Sequence, residues 1–131
     1  MTEDEQNRLS EKVIGACYTV SNALGSGFLE KIYQNALAHE LRKFGLKVEV
    51  QKPLYVTYDG VVVGEYFADL FIEDVLIIEL KACDGFSDLH KAQCINYLNA
   101  TKLPLCLLIN FGRPRAEVKR IFQSQFLENI A

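Results

Sequence analysis

The run LPLCLLINF, residues 103–111, is apolar at almost every position and has the length of a single strand. A strand without polar alternation fits a sheet covered on both faces, which calls for helices packed on either side. The flanking chain supplies them. The preceding stretch SDLHKAQCINYLNA reads as a helix with Ser87 as its N-cap, and VLIIELKA before it reads as another strand. Upstream, Leu9, Val13, Ala16, Cys17, Val20 and Leu24 fall at helical spacing across residues 8–24, and Gly25-Ser26-Gly27 supplies a stop. A second helix is expected from Leu29 to Phe44, with Ile32, Leu37, Leu41 and Phe44 on its apolar side and Gly45 ending it. Strands follow at 46–58, with Pro53 a candidate break, and at 61–72, joined by an Asp59-Gly60 hairpin turn. The tail from Ala116 to Leu127 has helical composition. The order α-α-β-β-β-α-β-α describes an α/β fold with a central mixed sheet flanked by helices.

At 131 residues, with no linker or low-complexity tract, residues 1–131 are expected to form one domain. The N-terminus MTEDEQNRLSEK is too acidic and polar for a signal or transit peptide. No apolar run approaches the ~20 residues that span a bilayer, so no membrane partner and a cytoplasmic address are expected. Cys17, Cys83, Cys94 and Cys106 lack zinc-site spacing and sit within apolar patterns, as buried free thiols in a reducing compartment would. The net charge is −3, but the acidic excess lies in the first 80 residues. The remainder is net basic, with Lys102, Arg113, Arg115, Lys119 and Arg120 near the end. Such a run is commonly a solvated face, and it neither requires nor excludes a polyanionic partner.

Three polar residues break the apolar strands: Asp69, Glu79 and Lys81. Alternation puts Ile77, Glu79 and Lys81 on one side of their strand and Leu76, Ile78 and Leu80 on the other; Asp69 shares a side with Phe67 and Phe71. Asp69 meets Glu79 across an antiparallel pair only if Ile72 lies opposite Leu76, leaving Glu73-Asp74-Val75 as a three-residue loop. A two-residue loop would part the two acids. Carboxylates gathered in an apolar setting are costly to ionise. A hard cation such as magnesium or manganese removes that cost, and a lysine beside it suits an anionic transition state. Spacing alone leaves a second reading equally open, a salt bridge of Lys81 with Asp69 or Glu79 at a solvated sheet edge.

On the next helix Gln93 and Tyr97 share a face, with His90 one turn back. Glu30 opens the second helix, where an acid meets the helix dipole favourably. Each is ordinary when taken singly. His39 and His90 do not suggest a histidine metal site, and no P-loop, GxSxG or GxGxxG element occurs.

Together these residues carry a resemblance. Asp69 followed by Glu79-Leu80-Lys81 resembles the acid-x-lysine signature of the PD-(D/E)xK nuclease superfamily, and Gln93–Tyr97 is similar to the QxxxY element of its exonuclease-like branches. GFLEKIY, residues 27–33, resembles the motif of the GxxExxY family of small prokaryotic proteins, and further similarity runs through ELRKFGLKVEVQ and LLINFG. The resemblance implies a restriction-endonuclease-like αβββαβ core with an extra N-terminal helix. It implies Asp69 and Glu79 as ligands of Mg2+ or Mn2+, and Lys81 as the catalytic lysine. Glu30 would stand at the edge of the metal site, with Gln93 and Tyr97 orienting the lysine or a substrate phosphate. Ala68 stands where the superfamily name has proline, and Phe67 where a basic residue is common.

Two functions are then expected to compete. One is a metal-dependent nuclease acting on nucleic acid, DNA ahead of RNA, with a homodimer or protein partner compensating for the acidic chain. The other is a catalytically inactive nucleic-acid-binding or protein-interaction module on the same fold.

Overall fold

The structure is a computed structural model that describes residues 2–123. Helix α1 spans Glu3–Leu24, and starts earlier than its apolar period because Thr2 caps it. The Thr2 hydroxyl accepts the Glu5 N–H at 3.1 Å, and Glu3, Asp4 and Glu5 face the positive end of the helix dipole. Gly25, at φ 69°, closes the helix with its N–H on the Ser21 carbonyl.

Helix α2 spans Glu30–Lys43 and buries Tyr33, Gln34, Leu37, Ala38 and Leu41. The expected apolar side was rotated: Ile32 and Phe44 are exposed, and Tyr33 and Gln34 face inward instead. Tyr33 explains the shift. Its ring stacks on Phe111 with centroids 4.6 Å apart, and its hydroxyl donates to the Gly25 carbonyl at 2.6 Å while accepting the Phe28 N–H. One side chain thus anchors α2 in the core and ties down the loop from α1.

The sheet holds β1 (Val48–Tyr58), β2 (Val61–Ile72), β3 (Leu76–Lys81), β4 (Leu105–Asn110) and β5 (Glu117–Phe122), in that spatial order. Only β3 and β4 run parallel, joined by the crossover helix α3 (Asp88–Thr101); the other pairs are antiparallel. The β2–β3 register places Ile72 opposite Leu76, so the connection is the three-residue loop. Glu73 and Asp74 take left-handed φ values of 53° and 58°. Lys47 holds them there: its N–H donates to the Glu73 carboxylate and its ammonium lies 2.9 Å from Asp74.

The segment 117–122, expected to be helical, is the antiparallel edge strand β5. Its side chains divide by strand parity, Val118 and Phe122 toward the α1–α2 layer and Ile121 toward α3. Pairing with the β4 edge thereby overrides a composition that would also suit a helix. Residues 124–127 of that expected helix lie outside the described residues.

Two apolar layers sandwich the sheet. Leu70, Ile72, Leu76, Ile78, Leu80, Leu107 and Ile109 pack against α1 and α2; Phe71, Ile77, Cys106 and Leu108 pack against Cys94 and Leu98 of α3. All six residues of β4 are buried, as its unbroken apolar run requires. Cys17, Cys94 and Cys106 are buried free thiols, while Cys83 is part-exposed. No helix among the described residues is long and apolar enough to cross a membrane.

Candidate active site where strands β2 and β3 part

Strand β3 is held along its whole length by β4, from the Leu76–Leu105 pair to the Lys81–Asn110 pair. Its ladder with β2 covers only three pairs and ends at Leu70–Ile78. Asp69 and Glu79 are the next residues in that register. The strands part just there, and the Asp69 side chain replaces the missing backbone partner: its Oδ2 accepts the Leu80 N–H at 2.7 Å. A backbone donor left open at the end of a ladder is thus satisfied by the site's own acid.

The alternation expected for β2 slips at this point. Ala68 and Phe71 both belong to the α3 layer, Leu70 and Ile72 to the α1–α2 layer, and Phe67 is exposed. Asp69 therefore does not share a packed face with Phe67. It lines a cleft of ≈ 620 Å³ together with Glu30, Gln34, Gln51 and Ala82. Glu79 and Lys81 line a smaller recess of ≈ 70 Å³, with His90, Gln93, Cys94 and Tyr97 of α3. The fold therefore gathers Glu79, Lys81, Gln93 and Tyr97 on one side and Asp69 and Glu30 on the other. Asp69 sits at the junction, close enough for its charge to act on Glu79.

Electrostatics single out Glu79. Burial, then the charge of Asp69, pushes the Glu79 carboxyl up to about 9, opposed by Lys81. Its Oε1 is buried without a hydrogen-bond partner among the described residues. No ion pair within 4.0 Å joins Lys81 to either acid among the described residues, so the salt-bridge reading of these residues is not what the structure contains. No cluster of three or more His, Cys, Asp or Glu side chains suited to a metal occurs among the described residues. Two carboxylates, one with an orphaned oxygen, nevertheless fit a cation that keeps several waters and binds through one or two acids, as Mg2+ does.

Several neighbours had little or no sequence signal. Tyr66 stacks on Tyr97, with ring centroids 3.6 Å apart at 10°. Its hydroxyl is also buried without a partner among the described residues, and burial followed by the Glu79 charge raises its pKa. Gln51 of β1 donates to Asp69 and to Gln34 of α2, hydrogen bonds that sequence spacing does not reveal. Behind the lysine, buried Asn110 accepts the N–H groups of Cys83 and Gly112 and donates to the Cys83 carbonyl, fixing the chain as it leaves β3. His90 is engaged in capping α3: its Nδ1 accepts the Ser87 N–H, and its own N–H donates to the Ser87 hydroxyl. Arg113 donates to the Asp84 carbonyl and Arg115 lies over the Tyr18 ring, while Lys119 and Arg120 are exposed on β5, two strands from β3.

A mixed five-stranded sheet flanked by helices, with acids and a lysine where two strands part, defines a restriction-endonuclease-like fold. Residues 7–121 match the PD-(D/E)XK nuclease superfamily, and the chain belongs to it. The superfamily is one named for nucleases. None of the curated proteins matches the chain. Among solved structures it is similar to one titled "Crystal structure of SSO0001", at 22% identity and a TM-score of 0.49. The match covers 90% of this chain and 60% of that one, so the chain spans under two thirds of the other's length.

Proposed function

We propose that this protein is a metal-dependent nuclease of the GxxExxY kind that hydrolyses phosphodiester bonds in DNA, using Mg2+ or Mn2+ held by Asp69 and Glu79. The observation that carries the reading is the buried, unpartnered Glu79 Oε1, with a second carboxylate beside it and Lys81 two residues further along β3. A carboxyl in that position is a poor anion until a positive charge arrives, and two acids near a lysine have no use in the packing of either layer.

A bound cation would neutralise phosphate charge and make water a competent nucleophile near neutral pH. The chain's own residues do the rest. The Leu80 N–H holds Asp69 in one orientation. Glu79 would hold the cation through its carboxylate once its proton is released. Lys81, in the same recess, places its ammonium where negative charge grows on the phosphate. Gln93 and Tyr97 line that recess and orient the phosphate, and the Tyr66–Tyr97 stack forms a rigid wall. Glu30 lines the wider cleft together with Asp69. Water forms a bond to phosphorus, and the bond from phosphorus to the leaving sugar oxygen breaks, that oxygen taking a proton.

The test is cleavage of labelled single-stranded, duplex and branched DNA, and of RNA, with Mg2+ and with Mn2+. Lys81→Ala protein, purified identically, runs beside the wild type. Metal-dependent cutting of DNA that is lost in Lys81→Ala is the expected result. Equal cutting in both marks a contaminant. No cutting in either and no metal binding favours an inactive binding module on the same fold.

A further inference from the structure

Gln51 adopts φ 52° in the interior of β1, a conformation that strand geometry does not require and that a side chain other than glycine rarely takes. Strain of this kind persists only where the surroundings impose it. Here it interrupts the β1–β2 ladder. Val50 pairs with Leu70 and Lys52 with Ala68, while Gln51 and Asp69 between them are not paired. What the interruption delivers is a side-chain amide. Gln51 Nε2 donates to Asp69 Oδ1 at 3.1 Å and also to Gln34 Oε1.

The two acceptors determine which end of the Gln51 amide is the NH2 group, because only that end can donate twice. Gln34 is 6% exposed on α2, so its carbonyl oxygen is a fixed acceptor rather than a mobile one. Asp69 is then gripped at both oxygens, Oδ1 by Gln51 and Oδ2 by the Leu80 N–H at 2.7 Å. A hydrogen bond at each oxygen restrains the orientation of the carboxylate plane.

We infer that Gln51 is a positioning residue: its amide, oriented by Gln34, locks the Asp69 carboxylate for cation binding. This rests on the proposed function for its consequence, the metal, but not for its geometry. Partners of this sort behind a metal ligand commonly change affinity by ~10–100-fold when removed.

Gln51→Gly isolates the amide, because glycine accepts the positive φ without strain and removes only the side chain. Three measurements go together: Mn2+ affinity by calorimetry, the Leu80 amide proton by NMR in metal-free protein, and the melting temperature. The expected result is Mn2+ binding weakened ~10–100-fold, a Leu80 amide that shifts upfield and exchanges faster, and no fall in melting temperature. Unchanged Mn2+ affinity with an unchanged Leu80 amide overturns the inference. A weakened affinity accompanied by a lowered melting temperature also overturns it, since that is the signature of a structural role. If the wild type binds no Mn2+ yet the Leu80 amide responds to Gln51→Gly, the metal reading fails and the hold of Gln51 on Asp69 stands.

Discussion

The Leu80 backbone N–H donates to Asp69 Oδ2 at 2.7 Å, tethering one acid of the site to the residue that separates the other acid from the lysine. This bond couples three things that would otherwise vary separately: where the β2–β3 ladder ends, how Asp69 is oriented, and how far it stands from Glu79. Asp69→Ala would therefore open a backbone donor as well as remove a proposed ligand. Asp69→Asn keeps an acceptor for Leu80 through its amide oxygen. The expected outcome is metal affinity lost in both variants, with Asp69→Ala the less stable by about 1 kcal/mol, as measured by urea denaturation beside Mn2+ calorimetry.

Glu79 makes the metal-free protein sensitive to pH in a defined direction. Its carboxyl is raised from 4.5 to about 9, chiefly by burial. Below pH 4.5 both folded and unfolded chains hold the proton, and the group costs nothing. Between 4.5 and about 9 the folded chain retains a proton that the unfolded chain releases, so stability falls as pH rises, by up to ~1.4 kcal/mol per pH unit. Glu79→Gln should flatten that slope in urea titrations at successive pH values. Added Mg2+ should oppose the loss most strongly at the alkaline end, since binding requires the deprotonated acid. Equal slopes in wild type and Glu79→Gln would refute the assignment.

Gly112 follows the β4 strand at a point where no side chain fits. A Cβ there would collide with the backbone N, C and O of Cys83, which cannot rotate away. The same Cys83 backbone is clamped by Asn110, so the obstruction is rigid. Gly112→Ala is expected to cost about 3 kcal/mol, the upper range for overpacking, seen as a lowered urea midpoint with unchanged slope. Because this clamp sets the exit of the chain from Lys81, cleavage should fall even at temperatures where the variant is still folded.

Tyr97 offers a separation of ring from hydroxyl. Tyr97→Phe keeps the stack on Tyr66, so stability should change by less than ~0.5 kcal/mol. If its hydroxyl orients the phosphate, cleavage falls at least ~10-fold, about 1.4 kcal/mol of transition-state stabilisation. Tyr97→Leu loses the stack as well and should cost a further ~1 kcal/mol in thermal denaturation.

Tyr33→Phe tests the loop that leads into Glu30 at the start of α2. The stack on Phe111 survives, but Gly25 O and Phe28 N lose their shared partner. A loss of ~1–2 kcal/mol is expected, with faster hydrogen exchange at the Phe28 amide as its local signature.

Much of this was legible from residues alone. The apolar run over Leu105–Asn110 required a strand covered on both faces, and Ser87 marked the start of α3. The three-residue loop over Glu73-Asp74-Val75 followed from asking the two acids to approach each other. These depend on periodicity, capping and turn chemistry, which act over a few neighbouring residues. The rotation of α2 and the strand β5 did not follow, because Tyr33 is placed by Phe111, far along the chain, and Val118 by pairing with Ile109 on the β4 edge rather than by its own stretch's composition. The site divides in the same way. The candidate site residues stood out in the sequence, as acids and a lysine that the apolar strands had no packing use for. Which cleft each acid lines, and that Gln51 and the Leu80 N–H hold Asp69, was decided by where the β2–β3 ladder stops. The end of a ladder is a balance between pairing and twist across several strands, and no local stretch of sequence contains it.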